Sequence, residues 1–90
     1  MNVHYNISVR GLVQGVFFRV STRNKAQEIG LFGVVRNEDD GSVYIEVEGE
    51  QTKINEFIKW VKDGGPSHAR VDNIKVEKGN LVNFVHFDVH

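Results

Sequence analysis

The residues best suited to chemistry lie in one stretch, Gly11-Leu12-Val13-Gln14-Gly15-Val16-Phe17-Phe18-Arg19. Its residue types suit anion binding. Glycine lets a chain turn so that successive N–H groups point inward as a concave nest. A helix starting just beyond leaves its first amide groups without intrahelical partners and adds about half a positive charge at that end. Arg19 follows directly, and a guanidinium binds two oxygens of a phosphate at once. Together these features describe a phosphate or carboxylate cradle. Spacing alone is equally that of a turn shaped by Gly11 and Gly15, with Arg19 in solvent. No Walker lysine follows and no Gly-x-Gly-x-x-Gly occurs, which argues against a nucleotide site.

Other residues carry weaker signals. Asn37 opens a turn, where asparagine is common. Phe18 belongs to a helical apolar stripe and reads as core, whereas Phe17 falls outside it and could line the mouth of a site. The four histidines suggest a metal, but on one strand His86 and His90 would lie about 13 Å apart, too far to share an ion. With no cysteine, disulfides, Cys-based zinc sites and thiol nucleophiles are excluded. Glu38-Asp39-Asp40 reads as a solvated acidic turn. Glu46 and Glu48, on the strand face opposite Val43, Ile45 and Val47, read as a solvent face.

Those candidates must be held by a small scaffold. Ninety residues suffice for a single domain spanning 1–90. Eleven Lys and Arg against twelve Asp and Glu leave a formal charge of −1, so no overall basic field attracts nucleic acid or an anionic membrane. Any anion site must therefore be local. The longest apolar stretch, Ile29 to Val35, is far short of the roughly 20 residues of a membrane span. The polar opening Met1 to Asn6 lacks the pattern of a signal peptide. A cytoplasmic, soluble monomer is expected.

Val3, Tyr5, Ile7 and Val9 alternate with polar neighbours, as in a half-buried strand. After the glycine loop, Phe18, Thr22, Ala26 and Ile29 fall at helical spacing, and Gly30 is placed to end that helix at C′. Leu31 to Asn37 reads as a strand. Asp40-Gly41 marks a hairpin, and Ser42 to Glu48 alternates cleanly. Ile54, Phe57, Ile58 and Val61 recur with helical period in a segment starting at Gln51 and stopped by Gly64-Gly65-Pro66. Val71 to Glu77 and Leu81 to Val89 read as a final pair of strands. This order predicts an α+β, ferredoxin-like split βαβ sandwich, with two helices on one face of a mostly antiparallel four- to five-stranded sheet.

Val9 to Arg19 also resembles the first signature of the acylphosphatase family: glycine, any residue, Val-Gln-Gly-Val, any residue, Phe, Arg. Gly33-Val34-Val35-Arg36-Asn37, followed by Gly41-Ser42-Val43 and Gly49, resembles its second. The likeness runs essentially end to end. Two long patterns in order are far more specific than a pair of glycines. Val34 stands where the second signature usually has an aromatic residue, and His90 where relatives commonly have tyrosine or arginine.

The resemblance implies hydrolysis of a carboxylic–phosphoric mixed anhydride, with no metal and no organic cofactor. It implies that the loop of Gln14, Gly15, Val16, Phe17, Phe18 and Arg19 binds the phosphoryl group, through backbone N–H groups and the Arg19 guanidinium. Asn37 is implied to hold the attacking water. The substrate would be a small acyl phosphate, with inorganic phosphate as product and inhibitor. Two other classes compete with this enzyme. A ferredoxin-like domain can sense a small anion on behalf of an attached domain. An RNA-binding sheet would need exposed aromatics and a basic surround, and only Tyr44 projects suitably.

Overall fold

The computed structural model describes residues 1–90. β1 (Asn2–Leu12) leads through the glycine loop into α1 (Phe18–Ile29), and β2 (Phe32–Asn37) forms a hairpin with β3 (Val43–Glu50). Then follow α2 (Gln51–Lys62), β4 (Arg70–Gly79) and a short β5 (Phe87–Val89). The sheet order is β4-β1-β3-β2-β5. β1 pairs antiparallel with β3 and β4, and β2 antiparallel with β3. Only β2 and β5 pair in parallel. β3 lies between β1 and β2, and β1 between β3 and β4, so each strand–helix–strand crossover is split by an inserted strand. This is the ferredoxin-like plan expected.

Register explains the core. Ile7 faces Ile45 and Val9 faces Val43 across β1 and β3, while Val35 of β2 also faces Ile45. These residues form one fully buried apolar face. α1 lays Phe18 and Ala26 on it, and α2 lays Ile54, Phe57 and Val61. The Trp60 ring lies 6.4 Å from Phe18 and 6.2 Å from Phe57, so the two helices meet on that face. α1 ends where the spacing predicted. Gly30 is left-handed at φ 95°, its N–H donates to Gln27 O at 3.1 Å, and Leu31 N–H donates to Ala26 O at 2.8 Å. These two bonds form a Schellman closure.

The end of the chain departs from expectation. Leu81 to His86 form no strand, and β5 is confined to Phe87–Val89, at the sheet edge opposite β4. The chain must therefore cross the sheet between Gly79 and Phe87. Glu48 holds it there: the carboxylate accepts the N–H of Val82 and, at 3.0 Å, that of Phe84. The Phe84 ring stacks on His4 at 6.2 Å. Glu48 is consequently only 3% exposed and does not belong to a solvent face, while Glu46 remains half-buried. His4 completes the cluster, with Nδ1 2.7 Å from Glu48 Oε2 and Nε2 2.7 Å from Asn6 Oδ1. His86 and His90 flank β5 instead of sharing a longer strand.

No helix is long and apolar enough to cross a membrane.

Candidate active site

Where β1 gives way to α1 the backbone turns sharply. Gly15 has φ 75° and Phe17 has φ 61° and ψ 21°, both left-handed. Glycine adopts this region freely, and for phenylalanine it is disfavoured. Phe17 occupies the N-cap of α1 without any side-chain cap bond, and the first turn carries no acidic residue. The first helical bond runs from Ser21 N–H to Phe17 O at 3.1 Å. The N–H groups of Phe18, Arg19 and Val20 thus have no partners within the helix. The positive end of the helix dipole is left uncompensated by nearby acid.

A cavity of about 250 Å³ opens at this point, lined by Val13, Gly15, Phe17, Phe18, Arg19, Val20 and Asn37. Five of the residues singled out in the sequence therefore meet around one space. Arg19 is its only ionisable side chain. Asn37 arrives from the last position of β2, two strands away from β1, so the sheet order brings it to the loop. Arg19 is half-buried, and its Nη1 donates to an oxygen of His90. His90 is itself tied to β2, its N–H donating to Val35 O at 2.9 Å. This contact orients the guanidinium and leaves most of its five N–H donors free.

Gln14 and Val16 do not line the cavity. Val16 packs half-buried against the core. The Gln14 side chain points to the β2–β3 hairpin, where Nε2 donates to Glu38 O and to Ser42 O, each at 2.9 Å. Both of its N–H donors are thereby committed to backbone carbonyls. The hairpin is closed further by Asp40, whose Oδ1 accepts Ser42 Oγ at 2.6 Å and Ser42 N–H at 2.9 Å. Arg10 Nη2 donates to Asp40 Oδ2 at 2.8 Å. The Ser42 bonds, with Arg10 beside them, lower the Asp40 pKa to about 2. Three ties around Asn37 were not anticipated: the Gln14 strut, the Arg10–Asp40 pair and the His90 contact. Asp40-Gly41-Ser42 signalled a turn, but nothing in it signalled which side chains would reach across.

An uncapped helix start, one guanidinium and an amide side chain from a separate strand thus meet around one cavity of a small α+β domain. This chain belongs to the acylphosphatase family, whose model matches residues 5–89. It is 44% identical over 81 residues to the acylphosphatase of Acaryochloris marina, covering 90% of this chain and 86% of that one. It is 54% identical over 67 residues to the acylphosphatase of Mannheimia succiniciproducens, covering 74% and 73%. The solved acylphosphatase structure from Coxiella burnetii superposes with a TM-score of 0.94 at 36% identity, covering 99% of this chain and 93% of that one.

Proposed function

We propose that this chain hydrolyses the carboxyl–phosphate bond of small acyl phosphates, giving a carboxylate and inorganic phosphate. The observation that carries this reading is the convergence of Arg19 and Asn37, from separate elements, on one cavity at the uncapped start of α1.

The phosphoryl oxygens sit among the N–H groups of the Gly15–Arg19 loop and the Arg19 guanidinium. These donors are fixed before substrate arrives and stabilise the charge that builds on the oxygens during transfer. Asn37 orients the water, because an amide both donates and accepts. Water oxygen attacks phosphorus in line, the bond from phosphorus to the acyl oxygen breaks, and the carboxylate departs with that electron pair. An amide is a poor base, so the water proton passes to a phosphoryl oxygen. A carboxylate is already a good leaving group, so positioning and electrostatics suffice. The fold family and membership by sequence support a monomeric cytoplasmic enzyme acting on a small molecule, needing neither cofactor nor nucleic acid.

Loss of benzoyl phosphate absorbance, followed in EDTA, tests the reading. Wild type is expected to turn over, and Arg19→Ala to be slower by about 10²–10³, the usual effect of losing a preorganised donor. A folded wild type that leaves benzoyl phosphate intact would overturn it.

A further inference from the structure

We propose that Phe17 and Val20 form an apolar shelf at the mouth of the phosphate cradle, selecting acyl phosphates whose acyl group is apolar, and aromatic above all. The proposal rests on the acyl phosphate reading and specifies the half of the substrate that the cradle does not recognise.

Phe17 is 79% exposed, yet its immediate neighbour Phe18 is 1% exposed and fills the core. The fold gains little packing from the Phe17 ring. It also holds the residue in the left-handed region, at φ 61°, where a side chain with a Cβ is disfavoured. Folding therefore accounts for neither the residue type nor its conformation. Val20, three residues on, is 42% exposed. Positions three apart at the start of a helix lie on one face. Both line the cavity, together with the buried Val13.

The cavity measures about 250 Å³, whereas a water molecule takes up only about 30 Å³ of liquid volume, so a phosphoryl group leaves room beside it. The polar groups that serve phosphate and water are Arg19, Asn37 and the loop backbone. What remains of the lining is Val13, Phe17, Phe18 and Val20. In-line attack places the leaving carboxylate opposite the water. The acyl group then extends away from Asn37 of β2, and the start of α1 supplies the apolar surface available to it. No second charged side chain lines the cavity to receive an acyl group bearing its own charge.

The test is the ratio of kcat/KM for benzoyl phosphate to that for acetyl phosphate, so that losses common to both substrates cancel. Phe17→Asn tolerates the left-handed conformation but removes the apolar surface, and Phe17→Leu keeps that surface. Phe17→Asn is expected to lower the ratio about tenfold, the low end for an apolar contact to substrate. Phe17→Leu should retain most of it, and Val20→Ala should move it in the same direction as Phe17→Asn. A Phe17→Asn enzyme that turns over both substrates at the wild-type ratio would overturn the shelf alone. A folded wild type that hydrolyses neither substrate would instead remove the reading beneath it.

Discussion

Gln14 Nε2 donates to the backbone oxygen of Glu38 at 2.9 Å, and Glu38 is the residue that follows Asn37. The same nitrogen reaches Ser42 O at 2.9 Å, on the other side of the hairpin. One amide thus ties the loop before α1 to the turn that carries Asn37. We infer that the proposed phosphate cradle and the proposed water-holding Asn37 keep their mutual geometry through this strut.

Replacing Gln14 by Leu should therefore lower kcat by about tenfold while inhibition by inorganic phosphate changes little, since modest misplacement of reacting groups is costly. Stability should fall by about 1–3 kcal/mol, from two hydrogen bonds worth about 0.5–1.5 kcal/mol each. Steady-state kinetics and urea unfolding measure both effects. Neither carbonyl is orphaned, because Glu38 O still accepts Gly41 N–H and Ser42 O still accepts Glu38 N–H.

Phe18 should behave as core. Phe18→Ala removes a ring that is 1% exposed, 6.4 Å from Trp60, and is expected to cost about 3–5 kcal/mol. A lowered urea midpoint with a shifted Trp60 emission would establish this. Phe17→Ala, by contrast, should leave the midpoint nearly unchanged.

Acid should destabilise the fold through three carboxylates with lowered pKa values: Asp40, Glu48 and the exposed Asp72, the last held down by its hydrogen bond to Arg70. Asp40 is held at about 2, by Ser42 foremost, and lies at the surface. Burial by itself would raise Glu48, but the Val82 N–H, His4 and the Phe84 N–H outweigh it and lower its pKa. All three values lie below those of the unfolded chain, near 4 for ordinary carboxylates. Their stabilisation is present above that value and is lost as pH falls through the folded pKa, toward about 2 for Asp40. Thermal midpoints should be flat above about pH 5 and fall progressively below it. Glu48→Gln should be less stable than wild type at neutral pH and show a shallower acid decline.

Much of the architecture was legible because it is local. Alternation in Val3–Val9 and Val43–Val47, helical recurrence in Ile54–Val61 and the Asp40-Gly41 turn each reflect one element burying one face. Leu81 to Val89 misled for the same reason. Its apolar residues suggest a strand continuing from β4, but the chain end pairs instead with the far edge of β2, at the opposite side of the sheet. That pairing, and the burial of Glu48 that comes with it, depends on topology that no window of sequence contains. In the site, Gly15, Phe17 and Arg19 fall within five residues of one another and announced themselves. Asn37 read as a turn residue until the family resemblance singled it out. The reach of Gln14 and the approach of His90 to Arg19 are tertiary facts without a local sign.

The central claim is that Arg19 serves the phosphate and Asn37 serves the water. Benzoyl phosphate turnover and competitive inhibition by inorganic phosphate, measured together for wild type, Arg19→Ala and Asn37→Ala, test it most directly. Arg19→Ala should lose both turnover and phosphate affinity. Asn37→Ala should lose turnover, while its inhibition constant for phosphate stays near wild type. Loss of phosphate inhibition in Asn37→Ala, or its survival in Arg19→Ala, would contradict that division of labour.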